Sequence, residues 1–145
     1  DLSALLDAIA EDCRFEYPDR TLRLEMPDEL ILNRSSERAL NLSLENLIRN
    51  ALRHTPVGGD VLVSVTVVEG QCVIAVSDQG PGVPDDLLEM IFKPFFRVDK
   101  SRDREAGGFG LGLALARRQI EGMDGHITAK NCADGGLCLR VSLPV

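Results

Sequence analysis

The chain has 145 residues, 44% of them hydrophobic and 27% charged, with a formal net charge of −7. This is the length of one domain with a real hydrophobic core, and an ordinary composition for a globular protein. No apolar run approaches the ~18 residues of a membrane span, and no basic block offers the positive patch that a nucleic-acid backbone requires. A nucleotide is not excluded, because a few placed arginines can hold a triphosphate. The chain opens on Asp1 without a signal peptide and reads as a segment excised from a longer protein. Its four cysteines, Cys13, Cys72, Cys132 and Cys138, are scattered without a C-x-x-C pair. They read as reduced, mostly buried thiols of a cytosolic protein. Neither His54 nor His126 adjoins a cysteine at ligand spacing, which argues against zinc.

Leu2, Leu5, Leu6, Ile9 and Cys13 recur at helical spacing, so an amphipathic helix opens the chain. Residues 15–20 contain Pro18 and read as a loop. Residues 21–26 alternate, with Leu22, Leu24 and Met26 on one face of a half-buried strand, and Leu30-Ile31-Leu32 reads as a short second strand. Ser35 or Ser36 then caps a long helix whose core stripe is Leu40, Leu44, Leu47, Ile48 and Ala51. Asn46, Asn50 and Arg53 fall on an adjoining stripe at i, i+4 and i+7. Two asparagines one turn apart beside a buried face are poor helix formers for that place and point to a ligand. Glu45 lies about 100° away and reads as solvated.

Residues 55–59, Thr-Pro-Val-Gly-Gly, end that helix. Residues 61–68 and 72–77 form a hairpin around Glu69-Gly70. The second strand ends in Asp78-Gln79-Gly80-Pro81-Gly82. This puts one carboxylate at a strand tip beside two glycines that admit close backbone approach, a place that a flat ligand can enter. Pro84-Asp85-Asp86 starts a short helix that reaches Met90 or Phe92. Residues 93–106 are mixed in charge and poorly periodic, the mark of a functional or mobile segment. Gly107-Gly108-Phe109-Gly110-Leu111-Gly112 leads into a helix over 113–122, and backbone N–H groups at such a start bind anions. It is neither a P-loop nor a dinucleotide fingerprint, since no Gly-Lys-Ser/Thr follows and Leu113 takes the last glycine's place. A closing hairpin, 126–131 and 137–143, turns at Asp134-Gly135-Gly136, with His126 read as structural.

The order of these parts resembles the ATP-binding catalytic domain of bacterial sensor histidine kinases, in the gyrase/Hsp90/MutL-like ATPase superfamily. The matching regions run from about 41 to 125. Residues 41–54, with Asn46 to His54 at their heart, resemble the N box, 78–82 the G1 box, 91–97 the F box and 108–113 the G2 box. The resemblance implies one α/β (α+β) domain over 1–145. Its fold would be a Bergerat-type two-layer sandwich of a mixed, roughly five-stranded sheet against about three helices.

The resemblance also implies the site. Asp78 would accept a hydrogen bond from the adenine amino group, with Gly80 and Gly82 admitting the ring and Phe92 of the F box beside it. Asn50 would coordinate Mg²⁺ through its side-chain oxygen, the kind of ligand a hard cation takes. Asn46, Arg53 and His54 would line the phosphate and ribose. Residues 93–110 would form the ATP lid, with Arg97 near the γ-phosphate and the backbone of Gly108, Phe109, Gly110, Leu111, Gly112 and Leu113 around the phosphates. Clamp-type ATPases of the superfamily carry a water-activating glutamate where this chain has Asn46, which cannot act as a general base. Phosphoryl transfer to a histidine imidazole needs no such base. The implied activity is therefore histidine phosphorylation in two-component signalling, with Asn46, Asn50 and Arg97 as the catalytic set.

Two positions depart from the family pattern: Phe109 stands where threonine is frequent, and Arg53 where lysine is. The implied partners are the parent's own dimerisation and phosphoacceptor helical domain and, through it, a response-regulator receiver. No nucleic acid or membrane contact is expected. The parent would be a homodimeric sensor anchored in the inner membrane, with this part in the cytoplasm. The rival functions are a serine kinase acting on an anti-sigma-factor partner through the same fold, and a docking module that has lost nucleotide binding.

Overall fold

A computed structural model of the protein describes residues 1–32, 35–96, 112–133 and 135–145. The first helix, α1 (Leu2–Glu16), is capped by Asp1, whose Oδ1 accepts from Ser3 N at 2.9 Å, and buries Leu2, Leu6, Ile9, Ala10 and Cys13. It runs one turn further than its hydrophobic stripe, stopping before Pro18. Strand β1 (Thr21–Glu25) follows.

The expected strand at Leu30–Leu32 does not form. Leu30 O accepts from Leu2 N, and Leu30 N donates to Asp1 Oδ1, so its backbone groups serve the start of α1 instead of a ladder. Three apolar residues cut off by Pro27 are too few to hold a sheet edge against that alternative.

Helix α2 (Glu37–His54) starts at Ser36, whose side chain accepts from Ala39 N, and carries Glu37 in its first turn and Arg53 and His54 in its last. That arrangement complements the helix dipole at both ends. Glu45 is not simply solvated: it pairs with Arg49 at 2.8 Å, and Arg49 Nε also lies 3.1 Å from Glu16 as an ion pair rather than an aligned hydrogen bond. The pairs are half-exposed and are worth little to stability.

Strands β2 (Asp60–Val68) and β3 (Gln71–Ser77) form the expected hairpin. Glu69 and Gly70 both have positive φ, 51° and 78°, the conformation that a two-residue turn of matching twist requires. The expected helix after Pro84 is two separate 3₁₀ turns, Asp85–Leu87 and Met90–Phe92. Helix α3 (Gly112–Gly122) and the hairpin of β4 (His126–Asn131) and β5 (Leu137–Pro144) complete the fold.

The five strands form one mixed sheet in the order β1-β2-β3-β5-β4. β1 and β2 are parallel, joined across the sheet by α2, and the other pairs are antiparallel. The strict alternation of β2, β3 and β5 sends Val61, Val63, Val65, Cys72, Ile74, Val76, Leu139, Val141 and Leu143 to one face. There they meet Leu44, Leu47, Ile48 and Leu52 of α2 and Ala116 and Ile120 of α3 in a single core. The result is the two-layer α/β sandwich of the sequence reading. Burial pushes the Cys13 and Cys72 thiols up to about 11, so both are inert packing groups, and all four cysteines are unpaired with one another.

Candidate functional site

β3 carries Asp78 to the upper end of the sheet and leaves it 6% exposed. A carboxylate so placed must be fixed by donors. Its Oδ1 accepts from Gly80 N and from Leu137 N, each at 2.9 Å. Asp78 N in turn donates to Leu137 O at 3.0 Å, so the residue continues the β3–β5 ladder by one rung. Burial raises the Asp78 carboxyl above its ordinary value; the two backbone N–H groups and the nearby His54 only partly offset this.

The turn beyond it is packed to the atom. A Cβ on Gly80 would stand 2.6 Å from His54 O, and a Cβ on Gly82 (φ 74°) would stand 2.8 Å from Asn131 Oδ1. Glycine lets the turn pack against the His54 backbone at Gly80 and against the Asn131 side chain at Gly82.

α2 forms the floor. Asn46, Asn50, Arg53 and His54 lie half-buried on one side of it, as its periodicity requires. Arg53 Nε is buried and takes no hydrogen-bond partner among the described residues. Gly112, the first residue of α3, faces Asn46, with its would-be Cβ 3.8 Å from Asn46 Oδ1. His54 meets the Asp78 turn and Asn46 meets the start of α3. Eight residues of helix separate these two points, about 12 Å at 1.5 Å rise per residue. The site is therefore elongated, with a carboxylate and glycines at one end and amides at a glycine-led helix start at the other.

Among the sequence-predicted residues, the structure brings together Asn46 with Gly112, and Asp78 and Gly80 with His54, while Gly82 packs against Asn131 and Gly136. Phe92 is buried in the core beneath Arg117, whose guanidinium lies 5.3 Å from the ring centre. Leu113 packs partly against the core. Arg97, Gly108, Phe109, Gly110 and Leu111 lie outside the described residues.

Four residues escaped the sequence reading. Thr55 is 1% exposed; its hydroxyl donates to Ala51 O at 2.9 Å and accepts from Gln79 N at 3.2 Å, which ties the end of α2 to the Asp78 turn. Gln79 Oε1 accepts from Asp60 N at 2.9 Å. Gly136, read only as a turn residue, has φ 86°, and any Cβ there would overlap Asp78 O. Asn131 bridges β4 to Val83. Only a glycine or a threonine at an element end could have hinted at these roles, because the partners that join them to the site lie 19 to 58 positions away.

Comparison with known proteins agrees with this geometry. Residues 35–145 match the family described as histidine kinase-, DNA gyrase B-, and HSP90-like ATPase. The signal transduction histidine-protein kinase BaeS of Escherichia coli is 34% identical over 147 residues, an overlap of all of this chain and 31% of that protein. The chain thus spans about a third of the length of this relative. The ATP binding domain of PrrB from Mycobacterium tuberculosis superposes with a TM-score of 0.77 at 30% identity, over 99% of this chain and 93% of that one. The mycobacterial sensor histidine kinase MprB gives a TM-score of 0.87 over 99% and 94%, at 23% identity, and so speaks for the fold alone. These relatives do not favour the anti-sigma-factor serine kinase or the docking module. The chain belongs to the histidine kinase-, DNA gyrase B- and HSP90-like ATPase family, and within it is an ATP-binding catalytic domain of the sensor histidine kinase type.

Proposed function

We propose that this chain binds Mg·ATP and phosphorylates a histidine on a separate helical domain of its parent protein. The observation that carries this reading is the buried Asp78 carboxylate at a strand tip, with Oδ1 held by two backbone N–H groups and glycines at 80 and 82 in the turn that follows. Its Oδ2 takes no hydrogen bond among the described residues, which leaves an acceptor for a ring amino group. The donor set along α2 fits the rest of a nucleotide: amide oxygens suit a hard cation, and the half-buried Arg53 guanidinium, whose buried Nε has no hydrogen-bond partner among the described residues, suits a phosphate or ribose oxygen.

In this reading Asp78 fixes and selects the base, and Gly80 and Gly82 keep its plane clear. Asn50 holds Mg²⁺ and Asn46 orients the phosphates, with Arg53 and His54 beside them. Gly112 and Leu113, with residues 108–111, surround the phosphates, and Arg97 of an ATP lid at about 93–110 lies near the γ-phosphate. ATP supplies the γ-phosphoryl group. The Asn46 carboxamide is not basic enough to take a proton from water, so the protein favours an acceptor that is already nucleophilic. The N, G1, F and G2 boxes at about 41–54, 78–82, 91–97 and 108–113 belong to one domain over 1–145.

The partners follow from this chemistry: the parent's dimerisation and phosphoacceptor domain, then a response-regulator receiver, in a homodimeric parent. No helix among the described residues is long and apolar enough to cross a membrane. We place this domain on the cytoplasmic side of an inner-membrane sensor, where ATP is available. Titration calorimetry with ATP, ADP and GTP in Mg²⁺, beside Asp78→Asn, tests the reading. Adenine-selective binding that the variant loses supports it; absence of binding by folded protein overturns it.

A further inference from the structure

We propose that Asn131 is a positioning residue of the base pocket, setting the separation between Asp78 and Gly82 and with it adenine selectivity. This rests on the reading of Asp78 as the base-recognising group. Asn131 ends β4 and pairs in register with Leu137 of β5. Leu137 is the residue whose backbone N–H and C=O hold Asp78. The Asn131 side chain does the same for the other end of the turn: Val83 N donates to Oδ1 at 2.9 Å, and Nδ2 donates to Val83 O at 2.6 Å. The side-chain amide thus imitates a strand, closing a two-bond ring on one backbone residue. Nδ2 also donates to Asp85 Oδ1 at 2.9 Å, which fixes the amide orientation, because only a nitrogen can face both oxygens. A Cβ on Gly82 would stand only 2.8 Å from Oδ1.

Both ends of the Asp78–Gly82 turn therefore hang on one cross-strand pair, Leu137 at the Asp78 end and Asn131 at the Val83 end. A flat ring between Asp78 and Gly82 meets a gap whose width this pair determines. Asp78 presents the acceptor, and Asn131 determines whether the ring reaches it in plane. Aspartate at 131 would keep the size, lose the donor to Val83 O and set a second carboxylate against Asp85.

The test is calorimetric titration of the chain with Mg·ATP, Mg·ADP and Mg·GTP for wild type, Asn131→Ala, Asn131→Asp, Asn131→Asp with Asp85→Asn, and Asp78→Asn, each checked for folding by circular dichroism. We expect Asn131→Ala and Asn131→Asp to weaken ATP and ADP by the same factor, about tenfold, because both nucleotides share the base. The preference for ATP over GTP should narrow. Asp85→Asn should recover part of the Asn131→Asp loss by removing the charge repulsion. Unchanged affinity in folded Asn131 variants, or a loss confined to ATP, overturns the proposal while leaving Asp78 in place if Asp78→Asn still abolishes binding. Normal binding by Asp78→Asn overturns the Asp78 reading and this inference with it.

Discussion

Thr55 and Gln79 are joined at the junction of α2 and the Asp78 turn, where Gln79 N donates to a hydroxyl that itself donates to Ala51 O. One side chain thereby fixes the helix that carries Asn46 and Asn50 relative to the loop that carries Asp78. Thr55→Val keeps the shape and removes both bonds. Thr55 is 1% exposed while Gln79 lies at the surface, so water can reach part of the freed Gln79 N–H and the variant should lose about 0.5–1.5 kcal/mol in urea unfolding. A value within error of wild type would show that water or a rearranged turn replaces the hydroxyl.

Asp78→Asn should separate affinity from stability. An amide in place of Oδ2 turns a donor toward the adenine amino group, and the loss of a charged hydrogen bond is worth about 1.5–3 kcal/mol, a ten- to hundredfold weaker Kd. Stability should move the other way. The folded carboxyl is raised above its ordinary value of 3.8, so its contribution is fully present below that value and is lost as pH rises through the folded one. At pH 7 the ionised group burdens the native state, and asparagine keeps an oxygen for Gly80 and Leu137. The variant should therefore have the higher urea midpoint at neutral pH, with the gap closing toward pH 4. A gap that widens on acidification contradicts the assignment.

Asn50→Ala should abolish most of the gain in ATP affinity that Mg²⁺ brings, while ATP binding measured in EDTA stays near wild type. An unchanged Mg²⁺ dependence removes Asn50 from the metal site.

Gly136→Ala probes the wall behind Asp78. A methyl group there overlaps Asp78 O on a backbone with φ 86°, so a destabilisation of about 2–4 kcal/mol is expected. Gly135→Ala, with a similar φ of 90° and no atom within 4 Å of the added Cβ, should cost only the conformational part of that. Equal effects of the two would mean that the overlap relaxes.

The chain alone should turn ATP over slowly, because Asn46 cannot activate water. Phosphate release at about 1 s⁻¹ or faster, the ordinary enzymatic range, would overturn the kinase reading in favour of an ATPase.

The parts of this fold written in local periodicity were readable beforehand. α2 and its cap, the β2–β3 hairpin with Glu69-Gly70 at its turn, and the stripe of Asn46, Asn50 and Arg53 all follow from spacings of two or of three to four residues. Asp78 was legible as a strand-tip acid followed by two glycines. Leu30–Leu32 was not, because its competitor was Leu2 N, a group 28 residues upstream that needs an acceptor. The supports of Asp78 were hidden for the same reason: Leu137 and Gly136 read as an ordinary hairpin until the sheet order places β5 beside β3.

That order has a consequence for biosynthesis. Asp78 is made 59 residues before the Leu137 amide that orients its carboxylate. While a ribosome is still adding residues 83–136, the nascent chain carries Asp78, Gly80 and Gly82 but not the Leu137 amide that orients the carboxylate. The edge of β3 that β5 later covers is open during that time, a row of unpaired backbone groups beside Cys72, Ile74 and Val76. Nucleotide cannot chaperone this domain early; it can only reward the strand that arrives last.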